Sequence, residues 1–146
     1  MKYTILYLAV ALFIGLSMST NVLAQDVLEA KRLDNPQWHS VVHIKFQAGK
    51  MARIQQIWDD MDKINEKAGT PQPVLRLRMS TGEWDVMIVW KMEGGIEDMN
   101  WEVRPDNVKG RQAAIAHFGT VEKFKEVRDE YRSYMVASKR EIARIR

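Results

Sequence analysis

The stretch WHSVVHIKF, Trp38 to Phe46, decides the fold. Its two histidines stand four apart. On a helix that spacing makes them neighbours on one face. On a strand it leaves them on one face but roughly 13 Å apart. The apolar side chains settle the matter. Trp38, Ser40, Val42, Ile44 and Phe46 alternate with His39, Val41, His43 and Lys45, which is a period of two with one largely apolar face. The β-branched pair Val41-Val42 and the two aromatics suit a pleated surface. The sequence therefore predicts a strand. Its histidines are too far apart to share one ion, whose ligating nitrogens must lie within about 2.1 Å of the metal.

After the turn Gln47-Ala48-Gly49 the period changes. Met51, Ile54, Ile57, Trp58, Met61, Ile64 and Ala68 recur at three and four, the apolar stripe of an amphipathic helix. Gly69 and Pro71 stop it. Two strands, 74–79 and 84–92, flank Ser80-Thr81-Gly82-Glu83, a hairpin signal. Pairing Met79 with Trp84 sets Leu77 against Val86, Leu75 against Ile88, Arg78 against Asp85 and Arg76 against Met87. That register places opposite charges across from each other. It gives Leu75 and Leu77 to the core face, and Arg76, Arg78 and Asp85 to the face that carries His39 and His43.

Residues 96–110 read either as a short strand around Met99, Trp101 and Val103 or as the start of a helix, interrupted at Pro105. Residues 107–118 look helical. Thr120 can cap a further helix, and the apolar positions from Phe124 through Tyr131, Tyr134 and Met135 to Ile142 and Ile145 predict that it runs to the end of the chain. The order β-α-β-β-α is most of a ferredoxin-like unit, with an antiparallel sheet, helices on one face, a long C-terminal helix and a fourth strand missing or reduced.

The chain has 146 residues and no cysteine. Lys2, the apolar run Ile5–Ile14, the polar stretch from Ser17 to Asn21 and the small residues before Gln25 describe a signal peptide cut after Ala24. The alternative is an uncleaved anchor, but about a dozen apolar residues are short for a span. Residues 25–37 then form an N-terminal arm, and 38–146 a single domain. Without Lys2 the exported chain carries 21 Lys+Arg against 19 Asp+Glu. So balanced a charge argues against nucleic-acid binding. Lacking cysteine, the chain has no lipid attachment point and no disulfide, so an exported domain must rely on its core. The expected location is periplasmic or secreted, with no membrane contact after cleavage.

The element order from His39 to Met92 with the helical tail resembles the dimeric α/β-barrel superfamily, which includes antibiotic-biosynthesis-monooxygenase-like proteins. The resemblance implies a homodimer in which two such sheets face each other through the mixed face. It also brings in haem-degrading relatives, in which an asparagine, a tryptophan and a histidine act together; no asparagine lies on the strand-one mixed face here, so haem is a minor alternative.

On the predicted register, His43, Arg76, Arg78 and Asp85 point into one space. Arginines suit a carboxylate, enolate or phenolate through paired hydrogen bonds, and a neutral histidine can take a proton from an acidic group. His43 is the candidate base. His39, Arg76, Arg78, Asp85 and Trp101 are candidate substrate contacts for a small anionic or aromatic molecule. No cofactor and no metal site is read; His117 is the remaining histidine, and no H-E-x-x-H pattern exists. Nor is there a nucleophile motif or a phosphate-binding glycine loop. Two readings stay open. One is a cofactor-independent monooxygenase or isomerase. The other is a non-catalytic ligand-binding or structural homodimer whose charges specify pairing.

Overall fold

The computed structural model describes residues 30–145. The chain divides into two units, Met1–Leu33 and Asp34–Arg146, and all secondary structure among the described residues lies in the second. The signal-peptide segment and its cleavage point lie outside the described residues. No helix among the described residues is long and apolar enough to cross a membrane.

Strand β1 spans Gln37–Phe46 and helix α1 spans Met51–Ala68. Gly69 closes α1 in the left-handed region at φ 61°, where its N–H reaches the carbonyls of Asn65 and Glu66; an L side chain is strained there. Strands β2 (Leu75–Arg78) and β3 (Val86–Lys91) follow, then a 3-10 helix over Gly95–Asn100. Helix α2 (Pro105–Phe118) starts on its proline. Proline at the first helical position loses no hydrogen bond, since that N–H has no intrahelical partner, so Pro105 initiates structure rather than breaking it. Helix α3 (Val121–Ser133) is capped by Thr120, whose Oγ accepts from the Lys123 N–H at 3.2 Å.

The chain ends differently from the sequence expectation. The last helix stops at Ser133, and Met135–Ile145 is strand β4. It runs antiparallel to β1, with Gln37 opposite Ile145 and Ile44 opposite Ser138. The sheet order is β2-β3-β1-β4, an α+β arrangement close to the ferredoxin-like unit, with two helices in place of the second one. The sequence of β4 hides its strand character. It is an edge strand, and charges on both faces of an edge discourage unwanted pairing while erasing the apolar alternation.

The core lies between the sheet and α1. Ile44 and Phe46 of β1 and Val86 and Ile88 of β3 bury against Ile54 and Trp58, with Tyr131 of α3 packed alongside. Phe46 is the pivot: its ring meets Trp58 and Tyr131 edge-on at 5.9 and 5.8 Å. Helix α2 packs chiefly on α1 and α3, through its fully buried Ala114.

An exposed ion pair joins α1 to α3. Arg53 donates through Nε and Nη2 to both oxygens of Glu130, each at 2.8 Å, and the Tyr134 hydroxyl donates to the same carboxylate at 2.8 Å. The Arg53 guanidinium, with Tyr134 behind it, lowers the Glu130 carboxyl to about 2. A carboxyl depressed in the folded state stabilises the fold above its ordinary value near 4.5 and loses that contribution as pH falls toward 2. Solvent screening limits the pair to about 1 kcal/mol or less. Glu130→Gln should therefore unfold more easily than the wild type at pH 7, and the gap should close by pH 2 to 3. Urea unfolding of both proteins at the two pH values reads this directly; a constant gap would contradict it.

Candidate functional site

The hairpin register differs from the expectation by one residue. Arg76 lies opposite Ile88, Leu77 opposite Met87 and Arg78 opposite Val86. Because side chains alternate, a slip of one exchanges the two faces of the whole strand. Leu75 and Leu77 thus leave the core for the open face, where they are 43% and 40% exposed. Arg76 and Arg78 move to the helix face, away from His43.

Asp85 explains the slip. Its backbone N–H donates to the Ile44 carbonyl at 3.0 Å, its carbonyl accepts from Met79 at 2.8 Å, and its carboxylate accepts from the Phe46 N–H at 2.7 Å. The bonds to Ile44 and Phe46 latch the hairpin to β1 where the β1–β4 register shifts, and the bond from Met79 closes the hairpin itself. Asp85 is therefore a structural acceptor and does not pair with Arg78. The neighbouring Trp84 leaves the core face expected for it and places its ring 5.9 Å from His43.

The other predicted site residues also separate. Arg76 donates to both Asp62 oxygens at 2.9 and 3.0 Å, and its guanidinium lies 4.8 Å from the Trp58 ring. Arg78 is exposed. His39 is buried, with Nδ1 at 3.3 Å from the Gln37 carbonyl oxygen. Trp101 is 55% exposed beyond the 3-10 helix. His43 faces Glu141 of β4, Nε2 to Oε2 at 3.3 Å. Lys139 first, with His43 behind it, holds that carboxyl below its ordinary value. Among the described residues no group of three histidine, cysteine or carboxylate side chains is placed to hold a metal ion.

The open sheet face is consequently more apolar than expected. Leu75 and Leu77 join Met87, Val89 and Val41, which the register sets side by side across three strands. His43, Lys139 and Glu141 border this stripe.

On the opposite side of the sheet lies a cleft of about 470 Å³. Its floor is Ser40 and Trp90, its walls Met61 and Asn65 of α1 and the first turns of α2, and its rim Thr70, Pro71, Phe124 and Arg140. Space exists here because α2 rests on α1 and α3 rather than on the strands. Gly110 helps keep it open: a Cβ at this position would meet Asn65 and Thr70 only at ordinary distances of 3.6 Å and more. A longer side chain at this lining position would compete with Asn65 and Thr70 for the space they border.

The lining is rich in cations. Arg104, Arg111 and Arg140 contribute positive charge and Asp106 alone is acidic, while Lys91, paired opposite His39, carries its side chain on the open face. Arg104 lies between two carboxylates, 3.4 Å from Asp106 and 3.7 Å from Asp98, and Lys91 pairs with Glu93 at 2.7 Å. Trp90 and Phe124 supply aromatic surface. Sequence reading missed these residues because two of them depend on elements it could not resolve. Arg104 begins α2 in the unreadable segment, and Arg140 sits on a strand read as helix. The available signal was the pair Arg104-Pro105, a helix start with a cation just outside it.

No family model and no curated protein matches the chain. Among solved structures, the chain is similar to a NIPSNAP-family protein of unknown function from Agrobacterium tumefaciens, at 10% identity and a TM-score of 0.48, covering 75% of this chain and 87% of that one. A second NIPSNAP-family protein from the same organism gives 9% and 0.47, covering 81% and 92%. An uncharacterised NIPSNAP domain protein from Burkholderia xenovorans gives 9% and 0.44, covering 73% and 91%. No residue role passes to this chain from likenesses of this size.

Proposed function

We propose that this is an exported, homodimeric small-molecule-binding protein whose ligand occupies the cleft between sheet and helices. The observation that carries the reading is the cleft itself. Its volume falls within the range of ligand sites, and it combines two aromatic side chains with several polar groups. A saturation-transfer fragment screen on wild type and Gly110→Leu tests it. Fragments that bind the wild type should lose contact in the variant, whose added side chain fills the space. Fragments retained by a folded Gly110→Leu protein would place the binding elsewhere.

Dimerisation is proposed through the open sheet face. The register that moved two arginines away and brought Leu75 and Leu77 in leaves an apolar stripe with a charged border, the make-up of a protein interface. The protein should sediment as a dimer at micromolar concentration, and Leu77→Lys should sediment as a folded monomer. A monomeric wild type would contradict the assembly. Export rests on the basic, apolar and small-residue pattern of the first 24 residues.

A second reading makes the protein an enzyme with His43 as base, favoured by the His43–Glu141 contact at 3.3 Å, since an orienting carboxylate is what such a base needs. The two readings separate on His43→Ala, which should leave cleft binding unchanged.

A further inference from the structure

We infer that the cleft takes an organic dianion with a flat apolar body, held by Arg111 of α2 and Arg140 of β4. This rests on the cleft being the ligand site and adds the ligand's chemistry. Of the three arginines in the lining, Arg104 already faces carboxylates. Arg111 and Arg140 have no ion-pair partner among the described residues, yet both border the same space. Arg140 reaches it because it stands opposite Val42, on the helix-facing side of β4.

Two exposed guanidinium groups, without protein carboxylates among the described residues, border one cleft, so a dianion can engage both. Each offers a planar fork that matches a carboxylate. The Trp90 and Phe124 rings and the Met61 side chain give the body of the ligand apolar and aromatic surface. A neutral ligand would gain no charge-assisted contact from either arginine. A compact inorganic anion would leave the aromatic walls unused. An aromatic dicarboxylate satisfies both sets of groups, with Arg104 kept in place by Asp98 and Asp106 as a third, already neutralised donor.

Calorimetric titration with phthalate, and with its neutral analogue phthalamide, tests the inference on the full domain. The wild type should bind phthalate about tenfold or more tightly than phthalamide. Arg111→Gln and Arg140→Gln should each weaken phthalate about tenfold, the scale of one lost charge-assisted contact. Rising salt should weaken phthalate alone, since the two arginines are solvent-accessible and screened. Gly110→Leu should abolish binding of both probes. Equal binding of the two probes, insensitive to the arginine variants but lost in Gly110→Leu, would overturn the dianion while leaving the cleft as a site. Failure of the wild type to bind phthalate at millimolar concentration would also overturn the dianion, and the fragment screen then decides the cleft separately. Phthalate binding that survives Gly110→Leu would overturn both.

Discussion

Ending the chain after Ser133 should abolish the fold. Strand β4 lies along the whole of β1, from Gln37 opposite Ile145 to Phe46 opposite Met135. Its removal strips the hydrogen-bonding partner from one edge of β1 and takes Met135 from the border of the core. Tyr134 leaves too, and with it the carbonyl that accepts from the Gln47 N–H at 2.8 Å. A domain is held by only about 5–15 kcal/mol in total, and losing one of four strands exceeds that. The newly exposed edge of β1 would also template aggregation. The shortened chain should show no cooperative thermal transition. Were residues 135–145 a helical extension, the same truncation would leave the domain folded, so a cooperative transition would contradict the strand.

Trp58→Ala should lower stability by about 4 kcal/mol, within the usual span for an aromatic deleted from a core. Trp58 is buried between three partners. It meets the Phe46 ring edge-on, carries the Arg76 guanidinium at 4.8 Å, and its indole N–H donates to the Tyr131 hydroxyl at 3.4 Å. Removing it empties the volume between α1 and the sheet and takes the aromatic face from Arg76, whose Nε already lacks a hydrogen-bond partner. The contact with Arg76 makes the prediction specific. A double-mutant cycle of Trp58→Ala with Arg76→Ala should give a coupling of about 1 kcal/mol, the scale of a partly desolvated cation–π pair. Denaturant unfolding supplies the four stabilities. Strict additivity would place Arg76 on the other face of the sheet and contradict the register.

Much of the fold is legible in the sequence. The alternation from Trp38 to Phe46, the stripe from Met51 to Ala68 and the Gly69 stop each follow from local chemistry that tertiary structure leaves alone. The same holds for Thr120, whose hydroxyl does at the start of α3 what its side chain suits it to do. Two elements escape because non-local bonds decide them. The Ser80–Glu83 turn permits a neat pairing of Arg78 with Asp85, but the Asp85 carboxylate serves the Phe46 N–H, 39 residues away in sequence. No local pattern announces that bond, and one residue of slip follows. Strand β4 escapes because Ile142 and Ile145 fit a helical spacing by chance, while its partner is β1 at the far end of the chain.

The site suffers more than the fold, because it compounds both errors. A cluster of His43 with Arg76 and Arg78 requires the wrong hairpin register. The cluster of Arg111 and Arg140 requires recognising β4. Charged residues give no hint of their side of a sheet unless the strand and its register are known first.

On the proposed reading, ligand meets the helix side of the sheet and not the face of His43. Backbone amide and indole shifts in a proton–nitrogen correlation spectrum, recorded with and without phthalate, distinguish the two faces. Shifts should concentrate on Asn107 to Arg111, Ser40, Arg140 and the Trp90 indole, with Val41, His43 and Leu77 unmoved. Shifts centred on Val41, His43, Leu77 and Glu141 would contradict it.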